Sequence, residues 1–405
     1  MSDSNEAKIP APLSGVRVLD FTHVLAGPYC TRLLADLGAD VVRVESSKHP
    51  DHPWPSAYID RDGRHASYLN TNRNKRSIAI DLKQPSGNKT ALRLAAVADI
   101  VVENFSAGVM DRLGLGYENL SSRNPRIIYV SMSGYGHDGP RRDWTSMNMN
   151  LQGYSGLMTV TGAEGDPPTA ISNSWNDYIG ALHACFAILQ AVDERDSTGK
   201  GSQLDLSQFE CSVAMIAPLL LASAVNGTNP PRQGNRSTRF APQGVYRCSG
   251  TDDWCAISVQ TDEQWSSLGQ VIGMERWGAE TRFANVAGRR QLHDEIDAQL
   301  QQWTARYSNR EVEERLKTRG IPAERVRRIN DLVNQPDGAT VFTQMEERRI
   351  GSMLTTVLPF RFSSGTLPAP YPAPALGEHN DAVLRDWLTL ADAEIQALKA
   401  QGAFA

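Results

Sequence analysis

The sequence predicts an α/β protein: a doubly wound, mostly parallel, Rossmann-like sheet domain with a smaller inserted α+β domain. Short Val- and Ile-rich runs alternate with helical patterns in the first half of the chain. The connections between these runs are long enough for crossovers, which parallel strands require. A stretch dense in turn formers at 226–235 then precedes a region of mixed strands and helices, which predicts a second domain. The length of 405 residues also exceeds that of one ordinary domain.

The elements of the sheet domain follow from the apolar runs and the residues that interrupt them. Its strands are predicted, in chain order, at 15–21, 39–45, 77–81, 100–103, 127–131 and 202–207. Its helices are predicted from Pro28 to Leu37, over 86–98, and from Asp177 to about Asp193. In the last helix Ile179, Leu182, Cys185, Phe186, Leu189 and Val192 recur at three- and four-residue steps as one apolar stripe. Ligands of such sheets bind at the carboxyl ends of the strands.

The smaller domain is expected at 226–330, between a large domain at 1–225 and a return to it at 331–405. Its elements are predicted as strands at 244–248 and 254–259 and helices at 261–272, 289–304 and 309–319. The proline-rich stretch 367–374 should be extended. A helix at 381–402 is expected to end the chain.

Composition narrows the class of protein. A net charge of −5 argues against a nucleic-acid partner, and there is no apolar run of membrane-spanning length. The polar stretch from Met1 to Ala11 lacks a signal core, so a cytoplasmic protein without a membrane partner is expected. The five cysteines have neither CxxC spacing nor paired histidines nearby, which predicts reduced packing residues and no metal site.

Asp177 is the candidate for chemistry. It lies in the polar turn 173–180 (NSWNDYIG), where its carboxylate would face out of a positive helix N-terminus. Asp is also among the preferred N-cap residues, so a capping role alone explains the local sequence equally well.

Three further segments could bind a ligand. The loop from Thr22 to Pro28 links a strand to a helix, and its amides could hold an anion, although it lacks the glycines of a dinucleotide fingerprint. The run 72–77 (NRNKRS) is either a solvated basic loop or a phosphate site. The segment 103–108 (ENFSAG) could wall a flat ring or form a plain turn. Among the histidines, His23, His137, His183 and His379 have no GxSxG elbow upstream, which argues against a hydrolase triad.

Taken together, these segments resemble family III CoA-transferases, the group of formyl-CoA transferase and carnitine CoA-transferase. The resemblance covers nearly the whole chain. It rests on 18–28 (VLDFTHVLAGP), 37–45 (LGADVVRVE), 74–82 (NKRSIAIDL), 103–105 (ENF) with Gly108, 112–114 (RLG) and 377–379 (GEH). It implies that Asp177 is the catalytic aspartate, which would form a mixed anhydride and then a CoA thioester. No tightly bound cofactor is implied, because coenzyme A or acyl-CoA is the substrate and the partner is a carboxylate acceptor.

The resemblance also implies the residues that contact CoA. They are His23, Val24 and Ala26 on the first loop, Asn104, Phe105 and Arg112. Further candidates are Leu25 on the same loop, the cations Arg43, Lys75 and Arg76 for phosphate charge, and the adjacent Asn72 and Asn74. Two positions depart from formyl-CoA transferase, since Leu25 replaces a glutamine and Ser46 replaces a CoA-binding arginine. Formyl-CoA or oxalate is therefore not expected, and Leu25 suggests a less polar pocket.

The sequence is also compatible with other activities. The same family contains α-methylacyl-CoA racemases, but their histidine is absent from the corresponding stretch 146–150 (SMNMN). Intramolecular CoA transfer within one dicarboxylate would use the same aspartate. A homologue that binds CoA without catalysis is the non-enzymatic alternative. The resemblance further implies an interlocked homodimer.

Overall fold

The computed structural model describes residues 10–51, 66–334, 341–347 and 351–404; residues 1–9 of the polar N-terminal stretch lie outside this range. Contacts divide the chain into two compact units. The larger comprises Met1–Met158, Ala170–Thr228 and Thr340–Ala405, and the smaller comprises Thr159–Thr169 and Asn229–Ala339. The short segment Thr159–Thr169 thus joins the smaller unit although it lies outside the range 226–330 predicted for that domain.

The larger unit is built on one parallel sheet. Its strands are Arg17–Asp20 (β1), Asp40–Glu45 (β2), Lys75–Ala79 (β3), Ile100–Glu103 (β4), Ile128–Ser133 (β5) and Ser202–Ser207 (β6). Their order is β3-β2-β1-β4-β5-β6, and every neighbouring pair is parallel. This is the doubly wound Rossmann order, which confirms the predicted fold class. The third strand begins two residues before its predicted start.

Helices cover both faces of this sheet, so its strands are apolar on both sides. In β1, Val18 belongs to the cluster of buried residues with Leu34 and Ile188, whereas Leu19 belongs to the opposite cluster with Leu94. The helices up to residue 228 are Ala26–Asp36 (α1), Ala66–Thr71 (α2), Pro85–Val97 (α3), Val109–Arg112 (α4), Tyr117–Arg123 (α5), Asn148–Tyr154 (α6), Leu157–Val160 (α7), Trp175–Thr198 (α8), Gln208–Met215 (α9) and Ala217–Asn226 (α10).

Helix α8 differs from its predicted form in extent and in its buried face. It begins two residues before Asp177 and ends at Thr198, where Gly199 adopts a left-handed conformation. The buried face consists of small residues such as Gly180, Ala181 and Ala184, which allow close packing. Of the predicted apolar stripe, Leu182, Phe186 and Leu189 are exposed. Only part of the predicted stripe is therefore packed, since Cys185 is buried and Val192 contacts the core. The periodicity of large side chains does not reveal that a helix packs through small ones.

The smaller unit is an α+β arrangement with its own core. Its strands, Gln243–Arg247 (β7), Trp254–Ser258 (β8) and Ala323–Arg325 (β9), form an antiparallel sheet in that order. Trp265 and Trp277 stack within its core with ring centroids 5.0 Å apart. Its helices are Asp262–Ile272 (α11), Arg276–Ala279 (α12), Val286–Gln291 (α13), His293–Thr304 (α14), Asn309–Lys317 (α15) and Ile329–Val333 (α16), with a 3-10 turn at Thr281–Phe283. The helix predicted at 289–304 is divided at Leu292.

The remainder of the larger unit contains a hairpin and two helices. Phe342–Glu347 (β10) and Gly351–Thr356 (β11) pair in antiparallel register. The single helix predicted at 381–402 is instead two, Asn380–Leu388 (α17) and Asp392–Ala400 (α18). Thr389 ends the first in a left-handed conformation, and the Glu394 carboxylate accepts a hydrogen bond from the Ala391 N–H at the start of the second.

Within the described residues, no single helix has the length and apolarity needed to cross a bilayer. Helices α9 and α10 have that length and apolarity only when they are taken together, and this pair is bent by 67°.

Candidate active site

The loop after β1 is anchored at the carboxyl edge of the sheet by Asp20. This fully buried carboxylate accepts hydrogen bonds from the Thr22 N–H, the Thr22 hydroxyl and the Thr31 hydroxyl at 2.9, 2.6 and 2.7 Å. Burial raises the pKa of Asp20, but the cations of Lys75 and Arg43 and these hydroxyl groups outweigh it and hold the pKa below its usual value. An ionised carboxylate therefore fixes the start of the predicted CoA loop.

The loop reaches α1 through an unusual backbone conformation at Val24. This residue has a φ of 69°, which a β-branched side chain adopts only under strain, and its N–H donates to Asp51 at 2.8 Å. Gly27 then packs directly beneath Thr22, since a Cβ there would lie 2.3 Å from the Thr22 Cβ. A residue with a side chain at position 27 would displace the loop.

A second segment holds the loop from the next strand. The Asn104 side-chain amide accepts a hydrogen bond from the His23 N–H and donates one to the His23 carbonyl, both at 2.8 Å. The Phe105 ring meets the His23 ring edge to face, with centroids 5.3 Å apart. Burial lowers the pKa of His23, so its imidazole is neutral at pH 7. Four of the predicted CoA contacts, His23, Val24, Asn104 and Phe105, are thus joined at one edge of the sheet.

Arg43, Asn72 and Lys75 lie close to this loop but are fully buried and already paired. Lys75 Nζ donates to Asp20 at 3.0 Å and to Asn72 Oδ1 at 2.9 Å, and Arg43 donates to Asn72 at 2.8 Å and to Asp51 at 2.5 Å. Burial lowers the pKa of Lys75 to about 8, so the ammonium still carries its charge at neutral pH. Burial also lowers the pKa of Arg43, but neighbouring carboxylates outweigh it and raise the pKa.

The remaining predicted contacts have different surroundings. Arg76 pairs with Asp40 and Asp386, and the Asn74 side chain donates to Asp36 at 2.7 Å. Asp36 ends α1 and Asp40 begins β2, so both residues lie at the amino edge of the sheet, opposite the loop. Arg112, in contrast, is exposed and has no ionic partner among the residues that the structure describes.

The run 72–76 is therefore neither a solvated basic loop nor an open cluster of cations. Its first residues precede β3, and neighbouring side chains point to opposite faces, where each cation meets a different carboxylate. Arg43, Lys75 and Arg76 each pair with a carboxylate. Among the basic candidates for CoA phosphates, Arg112 is the one whose side chain makes no ion pair with a described residue.

Asp177 is the third residue of α8, and Ser174 is the N-cap. Asn173 and Ser174 both have positive φ, 64° and 52°, which is a strained entry for residues with side chains. Asp177 is thus not the cap, contrary to the alternative that the local sequence allowed. Burial raises the pKa of its carboxyl to about 6, although a hydrogen bond from its own backbone N–H acts in the opposite direction.

The first turns of α1 and α8 meet beside Asp177. The rings of Tyr29 and Tyr178 pack edge to face at 4.8 Å, one turn after Leu25 on α1 and one residue after Asp177 on α8. The backbone N–H groups of Leu25, Ala26 and Gly27 donate to no described residue. Asp177 itself lies in the first turn of α8, where the positive helix end stabilises negative charge.

At the N-terminus of α8, Asn176 contacts amide and hydroxyl groups of α6 and α9. The buried Asn176 side chain donates to the Ser212 hydroxyl at 2.6 Å, and its N–H donates to Asn148 Oδ1 at 3.3 Å. Gly180 faces Gln208, whose Cγ would lie 3.1 Å from an added Cβ. The stretch 146–150 thus reaches the first turn of α8, where it contributes the Asn148 amide.

Other candidates show no sign of chemistry. All five cysteines are free and buried. His183 Nδ1 lies 2.9 Å from the Ile179 carbonyl on the exposed side of α8. The described residues contain no group of three or more His, Cys, Asp or Glu side chains arranged to hold a metal ion.

A cavity of about 1030 Å³ lies within the smaller unit and contains none of the predicted site residues. Its polar groups are largely engaged with each other, since Asp297 pairs with Arg236 and accepts a hydrogen bond from Tyr246.

Several residues of the site were missed from the sequence. Asp20 could have been found, because a carboxylate that ends the first strand of a parallel sheet lies at the ligand edge. Asp51, Tyr29 and Tyr178 gave no such signal, since each acts through a contact with a distant segment.

Comparison with known proteins shows the family to which the chain belongs. Residues 13–380 match the model of CoA-transferase family III. The chain is 30% identical to a succinyl-CoA–D-citramalate CoA-transferase of Chloroflexus aurantiacus, over 97% of this chain and 98% of that protein. It is also 30% identical to a succinate–glutarate CoA-transferase of Agrobacterium fabrum, over 94% of this chain and 96% of that protein. A CaiB/BaiF family protein from Brucella suis has a similar structure, with a TM-score of 0.86, 30% identity and coverage of 94% of this chain and 100% of that chain.

Proposed function

Because the chain belongs to CoA-transferase family III, we propose that it moves CoA from an acyl-CoA donor to a carboxylate acceptor with Asp177 as the nucleophile. The observation that supports this role best is the position of Asp177. Its partly buried carboxyl, with a pKa raised to about 6, lies in the first turn of α8, and the next residue, Tyr178, packs against Tyr29 of α1. A carboxylate with a raised pKa is still ionised at neutral pH and is a stronger nucleophile than an exposed one.

The proposed reaction runs through two pairs of acyl transfers. The Asp177 carboxylate attacks the thioester carbonyl, the C–S bond breaks, and CoA thiolate leaves a mixed anhydride. The thiolate then attacks the aspartyl carbonyl, so that the donor acid departs and an Asp177-CoA thioester remains. The acceptor carboxylate attacks this thioester and releases thiolate, which attacks the acceptor's carbonyl in the new anhydride and regenerates Asp177. Every bond broken is matched by one formed, and no oxidant is consumed.

The helix ends supply what these steps require. Each tetrahedral intermediate places negative charge on an oxygen next to Asp177, and this proposal assigns its stabilisation to the N-terminus of α8 together with the amides of Leu25, Ala26 and Gly27, which donate to no described residue. Removal of one such donor typically slows an acyl transfer by roughly two to three orders of magnitude. Leu25, at the N-cap of α1, adds an apolar side chain that helps to exclude water, which would hydrolyse the anhydride.

We propose that CoA lies along the carboxyl edge of the sheet, against the loop of His23 and Val24 and the segment Asn104–Phe105. Arg112 follows on α4 and would meet phosphate charge, because it is exposed and has no ionic partner among the described residues. Arg43 and Lys75 act in this proposal as buried supports of the loop rather than as phosphate ligands, since carboxylates already neutralise them.

The acceptor is proposed to be a small dicarboxylate. The two relatives described above are named for succinate or succinyl-CoA together with citramalate or glutarate. Succinyl-CoA is therefore the first donor to test, with four- and five-carbon dicarboxylates as acceptors.

The direct test is to trap the aspartyl thioester. The protein is incubated with succinyl-CoA and no acceptor, digested, and the peptide that contains Asp177 is examined by mass spectrometry. We expect a CoA adduct on this peptide that disappears when glutarate is added. Turnover without any adduct or anhydride on that peptide would refute the role of Asp177.

The matched variant is Asp177→Asn. It should retain CoA binding, form no adduct and lose at least about a thousandfold in transfer rate, because the amide is not a nucleophile. Its unfolding temperature should be no lower than that of the wild type, since the substitution removes the cost of burying an ionised carboxylate. Loss of activity is then not a loss of folding.

The alternatives give different outcomes in the same assay. Exchange of an α-proton with deuterated solvent, without CoA transfer, would indicate racemase chemistry, although Asn148 and Asn176 offer no proton-transfer group near α8. Transfer that needs no second acid would indicate the intramolecular reaction. CoA binding without either activity would indicate a non-catalytic homologue.

We also propose that the protein is a homodimer through the outer faces of α8 and α10. Helix α10 has no buried residue, although it carries Leu219, Leu220, Leu221 and Val225. Leu182, Phe186 and Leu189 are exposed on α8. Apolar surface of this extent is typical of an interface, and a second copy is the occupant that the family resemblance implies.

A further inference from the structure

The backbone of Phe105 is held at both of its polar groups by side chains that the proposed chemistry does not use. The Glu103 Oε2 atom accepts a hydrogen bond from the Phe105 N–H at 2.8 Å. The His137 Nε2 atom lies 3.3 Å from the Phe105 carbonyl oxygen, which corresponds to donation by the Nε2–H tautomer. The two peptide groups that flank Phe105 are thus each held by a side chain, which fixes the backbone of this residue in orientation as well as in position.

These two side chains also face each other. Glu103 ends β4 and is fully buried, and its second oxygen, Oε1, has no hydrogen-bond partner in the described part of the chain. That oxygen lies 3.8 Å from His137 Nε2. Burial raises the pKa of Glu103, against the effects of His137, the Ser131 hydroxyl and the Phe105 N–H. Glu103 and His137 thus form a pair of facing polar side chains beside Phe105.

His137 is itself positioned by the neighbouring strand. Its backbone N–H donates to Asp205 Oδ2 at 2.8 Å, and Asp205 lies on β6. Gly136 precedes it with a φ of 85°, a conformation that allows the chain to turn back toward β4. The imidazole is therefore brought to Phe105 by a turn that the sheet fixes.

The arrangement continues into the proposed CoA loop. The Phe105 ring packs on His23, and the adjacent Asn104 side chain makes hydrogen bonds with both backbone groups of His23. A rotation of the backbone at Phe105 would therefore tilt both the ring and the amide that hold the strained loop at Val24.

We propose that Glu103 and His137 are positioning residues that fix the two peptide groups flanking Phe105 and thereby pre-shape the loop that binds CoA. The inference rests on the proposed function for the identity of the ligand. Neither side chain is proposed to touch the reacting atoms. Their contribution should appear in CoA affinity, because a loop that is ordered before binding does not have to be ordered by the ligand.

The test uses His137→Ala, since His137 is partly exposed and its loss should not prevent folding. Both the KM for succinyl-CoA and the Kd for CoA measured by calorimetry should rise roughly five- to tenfold, the effect of one lost hydrogen bond, while kcat changes less than about twofold. His137→Gln, whose amide N–H can reach the carbonyl, should restore most of the affinity. Glu118→Gln on the exposed face of α5 is the control for a carboxylate far from this pair, and it should change neither value.

Glu103→Gln provides the second arm. The amide oxygen still accepts from the Phe105 N–H, so we expect a smaller rise in Kd than for His137→Ala. An unchanged Kd in His137→Ala would overturn the proposal, as would a fall in kcat and unfolding temperature with Kd unchanged, which is the result for a purely structural pair. Because calorimetry needs no turnover, the Kd decides the positioning role even if the wild type transfers no CoA, an outcome that would refute the proposed reaction alone.

Discussion

At the residue scale, the Asp177 carboxyl experiences two opposing influences. Burial favours the protonated form and raises its pKa to about 6, whereas the N–H groups at the helix end favour the ionised form. The result is a group that is ionised at neutral pH and poorly solvated. Such a carboxylate gains more from bond formation with a carbonyl carbon than one surrounded by water, because it has fewer hydrogen bonds to lose.

The pH dependence of the first half-reaction follows from this pKa. We expect kcat/KM for succinyl-CoA to be level above pH 7 and to fall about tenfold per pH unit below pH 6, as Asp177 takes up a proton. The measurement is the rate of CoA adduct formation by rapid quench between pH 4.5 and 8. A rate that stays level down to pH 4.5 would contradict a raised pKa for the nucleophile.

The same shift affects stability with a defined sign. The folded state binds the Asp177 proton more tightly than the unfolded state, whose Asp has a pKa near 3.8. Between about pH 4 and 6 the folded state therefore holds more protons, and the contribution of Asp177 to stability decreases as the pH rises through this window. This cost of an ionised, partly buried carboxylate is the reason that Asp177→Asn is expected to unfold at no lower a temperature.

At the element scale, the strands β1 and β3 are joined by an ion pair that the solvent does not reach. Lys75 Nζ lies 3.0 Å from Asp20, and both side chains are fully buried. Either charge alone would be costly to bury in such surroundings. Lys75 Nζ donates to Asp20, to the Pro28 carbonyl and to Asn72 Oδ1, so its three hydrogen bonds are all made. The pair therefore fixes the position, relative to the sheet, of the loop that carries His23 and Val24.

Lys75→Met should lower the free energy of unfolding by about 3–5 kcal/mol, because it leaves the Asp20 carboxylate buried without its cation. The measurement is urea denaturation. Lys89→Met on the exposed face of α3 is the matched control and should change the free energy by less than about 0.5 kcal/mol. The double variant Asp20→Asn/Lys75→Met should be less destabilised than Lys75→Met alone; a loss below about 1 kcal/mol in the single variant would contradict the role of the pair.

At the scale of the whole molecule, α8 and α10 of a single chain expose large apolar side chains that no part of the larger unit described by the structure covers. Leu221 is 67% exposed and Phe186 is 74% exposed, on helices of the larger unit. In a two-fold symmetric dimer each residue of the interface occurs twice, so a single substitution removes two contacts.

The wild type should have twice the chain mass of 44.5 kDa in light scattering at micromolar concentration. Leu221→Glu should shift it toward the monomer, because each copy loses the burial of a leucine, worth about 2 kcal/mol, and gains a charge in an apolar contact. Val97→Glu on α3, also an exposed apolar position, is the control and should leave the mass unchanged. A monomeric wild type would refute the proposed interface.

The sequence by itself determined the order of the elements, the parallel sheet and the identity of the candidate nucleophile. Apolar periodicity and turn residues act over a few positions, and they were sufficient for β1 to β6 and for the helix of Asp177. They failed where local sequence does not decide the outcome, as for the divided C-terminal helix at Thr389 and the buried small-residue face of α8.

Only the tertiary structure decided which charges are available and which residues meet. The run 72–76 contains three cations, but its carboxylate partners Asp20, Asp36 and Asp40 are separated from it by tens of residues along the chain. The same holds for Tyr29 with Tyr178, for Asn104 with His23 and for His137 with Phe105. Electrostatic and hydrogen-bond energies depend on distances in space, and a sequence specifies those distances only after the sheet has brought its strand ends together.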